Sequence, residues 1–371
     1  MFSPSDLLMS CIVNSLNFLL PKLKDKIVFI GYPDYDDMLR GLILQSDLSK
    51  KNFHVLIKDE SIIRPNWLND RCKIVRKNSI KGLFHLVTSK RVYFTHGILN
   101  GFKLLNENRQ LVINLWHGMP LKRIGYMDNK SDFPAFHYTL ATSDFFSDII
   151  QRSFKVNIEK VLISDLPRNI VLKRRIPSKK LERIISGNKN IIVWLPTYRV
   201  SNVGDIRKDS SSTSLLGIDN LDLDKLNREL SGANIELFIK PHPMAKFDDI
   251  KIDEFDNIDI IDEHWLAESD LTLYQLLSYS AALITDYSSV YVDYLSLNKP
   301  IIFVMTDEDE YKDHRGFSFD VKSEGLPGVV ITNGHNFGAH LIDSISKPLC
   351  KHPCTSKYYD CNVVNDLIQI K

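Results

Sequence analysis

Short apolar runs, rich in Ile, Val, Leu and Phe, recur along the chain between segments whose apolar positions fall at helical spacing. In the first half the runs lie at 26–31 (KIVFIG), 54–58 (HVLIK), 91–95 (RVYFT), 111–116 (LVINLW), 138–142 and 161–164. Segments 37–48, 80–89 and 145–154 between them read as helices. After a basic, proline-containing stretch at 168–190 the pattern restarts, with runs at 191–195 (IIVWL), 235–239 (IELFI), 258–261, 282–285, 301–305 and 329–332. Helices are expected there at 222–231, 272–279, 289–297 and 334–346, and 200–220, rich in Ser, Asn, Gly and Asp, reads as a loop. Apolar runs that are continuous rather than alternating, separated by helices, predict parallel sheets covered on both faces. The restart predicts an α/β protein of two Rossmann-like, doubly wound domains facing each other across a cleft. The expected boundaries are an amphipathic helix at 1–25, a first domain at 26–185, a second at 186–350 and a tail at 351–371.

Within the first 25 residues, Leu7, Leu8, Cys11, Ile12, Leu16, Leu19 and Leu20 are spaced as on a helix, and Lys22, Lys24 and Lys26 follow. Such a helix packs on the first domain or lies on a membrane surface. No run approaches the roughly 18 consecutive apolar residues of a spanning helix. Hydrophobic residues at 44% and charged residues at 25% supply two real cores. Lys+Arg 47 against Asp+Glu 46 gives a net charge of +1, without the basic excess of a nucleic-acid binder. Five cysteines fit a reducing compartment without a disulfide framework. Cys350, His352, Cys354 and Cys361 crowd the tail, but their spacing is not that of a standard zinc site. No metal and no cofactor are expected.

Candidate chemistry collects just after the apolar runs, where doubly wound sheets bind ligands. His117 ends one run in Trp116-His117-Gly118-Met119-Pro120-Leu121-Lys122, where an imidazole can take a proton from a hydroxyl and Gly118 lets backbone approach a ligand. His242, between Pro241 and Pro243 and preceded by Lys240, holds the same place in the second half. Thr285-Asp286-Tyr287-Ser288-Ser289 runs from an apolar stretch into a helix, whose start offers N–H groups and hydroxyls to a phosphate. Arg315, in a loop Asp313-His314-Arg315-Gly316-Phe317, and Arg199, in Pro196-Thr197-Tyr198-Arg199, can fork two hydrogen bonds to a phosphate or carboxylate. Asp36 and Asp37 add carboxylates but no metal cage. Read singly, these residues fit structural turns, caps and surface ion pairs as well. Read together, they suit transfer of a phosphate-linked group.

LWHGMPLKRIG, LPTYR, IKPHP, LITDYSSVYVDYLSLNKPIIF, EYKDHRGFSFD and LPGVV, in this order from about residue 26 to 332, resemble the CDP-glycerol glycerophosphotransferase family of teichoic-acid and capsule polyol-phosphate transferases. Asp165 stands where that family has glycine before Leu166-Pro167-Arg168-Asn169, and Met119 where Thr or Ser is usual. The resemblance implies a GT-B fold with the donor nucleotide held by the second domain. It implies a CDP-glycerol or CDP-ribitol donor and a lipid-linked or polymeric glycan acceptor. It also implies peripheral association with the cytoplasmic side of the cell membrane. His117 and His242 match the family's two essential histidines, and Ser288, Ser289 and Arg315 match positions near the donor pyrophosphate. Thr285, Asp286, Arg199 and Lys240 are grouped with that donor-phosphate set, and Gly118, Lys122 and Arg168 with the acceptor side. A nucleotide-sugar glycosyltransferase and a non-catalytic glycan-binding protein are the alternatives.

Overall fold

The structure is a computed structural model describing residues 4–58, 60–98, 109–129, 135–186, 189–197, 200–201, 204–205, 218, 221–241, 255–346, 355–360 and 367. It forms two compact units. The first comprises Met1–Gly118, Gly125–Val171 and Asp360–Lys371; the second comprises Met119–Ile124 and Leu172–Tyr359. The division thus falls inside the basic stretch at Val171–Leu172, not at 185–186, and the end of the tail belongs with the first unit.

Seven parallel strands build the first unit: β1 (Leu23–Ile30), β2 (Asn52–Ile57), β3 (Lys73–Arg76), β4 (Ser89–Phe94), β5 (Leu111–Asn114), β6 (Tyr138–Ala141) and β7 (Val161–Ile163). Their order is β3-β2-β1-β4-β5-β6-β7. The chain therefore winds outward from β1, returns to its other side at β4 and leaves a topological switch point between the two. Helices α1 (Pro4–Leu19), α2 (Asp37–Gln45), α3 (Ile80–Thr88), α4 (Asp144–Phe154) and the start of α5 (Asn169–Arg174) accompany the sheet, with α1 packed on α3. Side chains of Ile27, Phe29, Phe53, Val55, Val92 and Phe94 are almost completely buried, which is why these strands read as unbroken apolar runs. Polar residues start the helices: the Ser79 and Ser143 hydroxyls accept from the Gly82 and Phe146 N–H groups.

The second unit repeats the plan with six parallel strands: β8 (Asn190–Leu195), β11 (Ile235–Ile239), β12 (Ile258–Ile260), β13 (Ala282–Thr285), β14 (Ile301–Val304) and β15 (Val329–Ile331). Their order, β12-β11-β8-β13-β14-β15, puts the switch point between β8 and β13. A two-residue pair, β9 (Val200–Ser201) with β10 (Gly204–Asp205), stands in the stretch expected to be loop. Helices α6 (Lys179–Ser186), α7 (Leu223–Gly232), α8 (Glu263–Glu268), α9 (Leu273–Tyr279), α10 (Val290–Tyr294), α11 (Glu308–Arg315), α12 (Val321–Glu324), α13 (Phe337–Ser346) and α14 (Thr355–Tyr358) complete it. Ile192, Trp194, Leu237, Ile239, Ile284 and Ile302 form its core with Leu226, Phe337 and Leu341 from the helices.

Candidate active site

At the first switch point, the loops after β1 and β4 are tied together. Tyr32 donates its backbone N–H to the Thr95 hydroxyl at 3.2 Å, and Thr95 donates its own to the Ile30 carbonyl at 3.2 Å. Thr95 is fully buried, whereas His96, the next residue, is exposed. The Thr95 hydroxyl lies 3.0 Å from His96 Nδ1, and Tyr32 meets the His96 ring edge-on.

His117 follows β5 in the same unit, as its sequence position predicts. The backbone turns through Trp116 at φ 55° and Gly118 at φ 132°, and Trp116 N–H is held by the Asn114 side chain at 3.0 Å. A tryptophan in the left-handed region is a strained turn that the surrounding packing must hold. Its indole does so, stacking on His117 at 3.9 Å and meeting Phe154 edge-on at 4.8 Å. His96 stacks on His117 at 4.2 Å with the planes 9° apart. His117 Nδ1 lies 3.5 Å from the Thr95 carbonyl, an oxygen that can only accept, which favours the tautomer carrying its proton on Nδ1 and a lone pair on Nε2. Arg168 donates to the His117 carbonyl at 3.3 Å.

Asp36, the N-cap of α2, accepts from Leu39 N–H at 3.0 Å, and burial pushes its carboxyl up to about 7, with Asp37 beside it adding to the rise. The guanidinium of Arg168 pulls the same carboxyl the other way. His96 goes down to about 4, first because the surrounding loops desolvate it and second because of Arg168.

At the second switch point, Asp286 accepts from Thr197 N–H at 3.0 and 2.9 Å, from the Thr197 hydroxyl and from Tyr287 N–H at 2.6 Å. The Thr285 hydroxyl donates to the Leu195 carbonyl at 2.9 Å. Thr285 and Asp286 therefore tie the ends of β8 and β13 and the loops after them together. Tyr287, buried, stacks on Tyr311 at 3.7 Å and donates to Asp307 at 2.9 Å. Ser288 and Ser289 follow, partly exposed, and Ser288 accepts from Val290 N–H at 3.4 Å. The helix they introduce is shorter than the 289–297 expected: α10 ends at Tyr294 and a 3-10 turn, Leu295–Leu297, completes the segment.

Arg315 stands on a helix, not in a loop. It is the last residue of α11, and Gly316 breaks the helix at φ 66°. The next residues pair with the segment Met119–Ile124: Arg123 N–H donates to the Gly316 carbonyl at 3.1 Å, Ser318 N–H to Leu121 at 2.9 Å, and the Ser318 hydroxyl to Pro120 at 2.5 Å. Lys122 and Phe317 form the bridge between them. Lys240, at the end of β11, is paired with Glu263 at 2.6 Å. His242, Arg199 and the tail residues Cys350, His352, Cys354 and Cys361 lie outside the described residues. Among the described residues, no group of three or more His, Cys, Asp or Glu could hold a metal ion. The sequence reading missed His96, Tyr32 and Thr197. His96 had a signal, since Thr95-His96-Gly97 closes an apolar run as Trp116-His117-Gly118 does.

Two parallel sheets in Rossmann order, each with polar loops tied at its switch point, have the architecture of α/β proteins that bind nucleotides beyond the strand ends. Residues 12–351 match the CDP-glycerol:poly(glycerophosphate) glycerophosphotransferase family, and the chain belongs to it. It is similar to the teichoic acid glycerol-phosphate transferase of Staphylococcus aureus, 31% identical over 255 residues, which are 62% of this chain and 61% of that protein. It is similar to the teichoic acid poly(glycerol phosphate) polymerase of Bacillus spizizenii, 24% identical over 342 residues, 84% of this chain and 82% of that protein. The teichoic acid poly(ribitol-phosphate) polymerase of the same organism is 29% identical over 322 residues, 81% of this chain and 48% of that protein. The chain thus spans just under two thirds of the first of these relatives and about half of the last. Among solved structures, the wall teichoic acid polymerase TagF has the same fold, with a TM-score of 0.72 at 21% identity over 98% of this chain and 92% of that one.

Proposed function

We propose that the chain transfers a polyol phosphate from a CDP-activated donor, glycerol in the first instance, to a hydroxyl of a lipid-linked or polymeric cell-surface acceptor. The acceptor oxygen attacks the β-phosphorus of the donor. The bond from that phosphorus to the bridging oxygen breaks, and CMP leaves with that oxygen. His117 takes the proton of the attacking hydroxyl at Nε2. The observation that carries this reading is the His117 imidazole at the carboxyl edge of its sheet, with Nδ1 turned to the Thr95 carbonyl. His242 assists at the phosphate or the leaving group. Arg315, Arg199, Lys240, Ser288 and Ser289 hold the donor phosphates, with Lys240 exchanging its Glu263 partner for them. Gly118, Lys122 and Arg168 serve the acceptor side. The two units take the GT-B arrangement, facing across a cleft. Positioning and electrostatics supply most of the rate, without a covalent intermediate.

The protein works at the cytoplasmic face of the cell membrane. Among the described residues, no helix is long and apolar enough to cross a membrane. Phe18 at the end of α1 and Ile80 on α3 are 68% and 89% exposed, and with the exposed Lys24 following α1 they suit contact with an anionic lipid surface. The test is to offer CDP-glycerol, CDP-ribitol and UDP-sugars with a defined lipid-linked acceptor, following CMP or UDP release and product mass. CMP release with acceptor extension is expected. UDP release alone would make the protein a glycosyltransferase, and no nucleotide binding by calorimetry would make it a glycan-binding protein.

A further inference from the structure

The two switch points can be laid over each other position by position. Thr95 follows the last residue of β4 as Asp286 follows the last residue of β13, and each accepts a backbone N–H from the loop after the neighbouring strand. The next residue carries a ring in both units. In the second unit this ring is Tyr287, buried, stacked on Tyr311 and hydrogen-bonded to Asp307, so it is consumed in packing. In the first unit it is His96, exposed, with its face on His117. An exposed imidazole whose planar partner is a general-base candidate is not explained by core packing.

We propose that His96 is a positioning residue for His117: its ring, fixed by Thr95, forms one wall of a slot whose other wall is Trp116, and the slot fixes the plane in which His117 presents Nε2. This rests on the role given to His117 above. Three observations define the slot. His96 and Trp116 lie 4.2 and 3.9 Å from the His117 ring, at 9° and 33°. Thr95 serves both imidazoles, with its hydroxyl on His96 Nδ1 and its carbonyl on His117 Nδ1. Tyr32 packs against His96 in a T-shaped contact at 5.5 Å. Arg168 and Tyr32 are charged and titratable groups that stand against the pair. Desolvation first, and Arg168 second, hold His96 down at about 4, so near neutral pH the wall is an uncharged ring that adds no charge beside His117.

The test compares His96→Ala with His96→Phe, which keeps a flat ring and loses both nitrogens. With CDP-glycerol as donor, His96→Ala should lower kcat by about 10-fold while KM for the donor changes less than about 2-fold, the pattern of a misplaced base rather than a lost contact. His96→Phe should recover most of that loss. Equal loss in both variants would mean that a ring nitrogen of His96 acts directly on substrate, and an unchanged rate in His96→Ala would mean that the slot has no role. Either result overturns the proposal. Unfolding midpoints check that both variants fold. Histidine-labelled NMR reads the slot without turnover: His117 should give one sharp ring resonance in wild type and His96→Phe, and a broadened or shifted one in His96→Ala. An identical His117 signal in all three overturns the proposal even if wild type releases no CMP, an outcome that would count against the function above and not against the slot.

Discussion

The carboxyl edges of the two sheets share a plan and differ in what fills it. In the first unit, a neutral threonine hydroxyl joins the loops and leaves two stacked imidazoles beside it, one exposed and one half-buried. In the second, a buried carboxylate joins them, its oxygens taken by Thr197 and Tyr287, and the neighbouring tyrosine rings pack inward. One fold thus leaves a pair of imidazoles in solvent reach where the tie is a hydroxyl, an edge that handles a proton on the role proposed for His117. It produces a firmly tied, rigid edge where the tie is a carboxyl group whose oxygens accept from both loops. A rigid edge suits a bound donor whose phosphates must be held still; a proton-handling edge suits the attacking hydroxyl.

The sharpest break of this contrast is His117→Ala. Removing the base should lower kcat by about 10²–10⁴-fold, while the unfolding midpoint stays within the scatter of wild type. Wild-type turnover in the folded variant would remove the proton-handling role from the first edge. The next break is on the other side. Asp286→Ala leaves the Thr197 and Tyr287 N–H groups without their acceptor in a buried setting, which should cost about 3 kcal/mol of stability. Urea unfolding followed by tryptophan fluorescence reads it, because Trp194 lies on β8 in the same unit. Asp286→Asn, which keeps an accepting oxygen, should restore part of the loss. A midpoint unchanged in Asp286→Ala would show that the tie holds nothing together.

How much of this was legible depended on where apolar residues were needed. Strands buried on both faces announced themselves, and every expected apolar run proved to be a strand. β3 was missed because only Ile74 and Val75 carry its apolar character, and its ends, Lys73 and Arg76, are exposed. The end of α11 was read as a loop because EDEYKDHR shows no apolar period; Tyr311 turns inward, and three acidic residues in the first turn are a helix-start signal. In the site, His117 was placed correctly at the end of an apolar run. What made it a site, the parallel ring of His96 and the carbonyl of Thr95, comes from β4 and β5 being neighbours, and no local pattern along the chain carries that adjacency. Thr197 is likewise joined to Asp286 only through the pairing of β8 with β13.

A second imidazole pair sharpens the contrast, because it makes the first unit the acid-sensitive one. His54 on β2 and His85 on α3 stack at 4.0 Å, and His54 Nε2 and His85 Nδ1 are buried without hydrogen-bond partners. Lys26, whose ammonium donates to Thr88, and Lys73 stand nearby and oppose a positive charge. Burial first, then His85, holds His54 down at about 4, against an ordinary value of 6.5, and burial lowers His85 as well. Above about 6.5 both folded and unfolded chains hold a neutral His54, so its titration contributes nothing there. Between 6.5 and about 4 the unfolded chain takes up the proton and the folded one does not, so stability falls as the pH drops through that window and levels off below it. Because His85 is partly exposed, solvent screens the charge, and the loss should be roughly 1–2 kcal/mol rather than the full value of the shift. Urea midpoints from pH 7.5 down to 4.5, compared between wild type and His54→Gln, measure it. The variant should start less stable and lose less on acidification; equal slopes would mean that the pair is not what makes the first unit yield to acid.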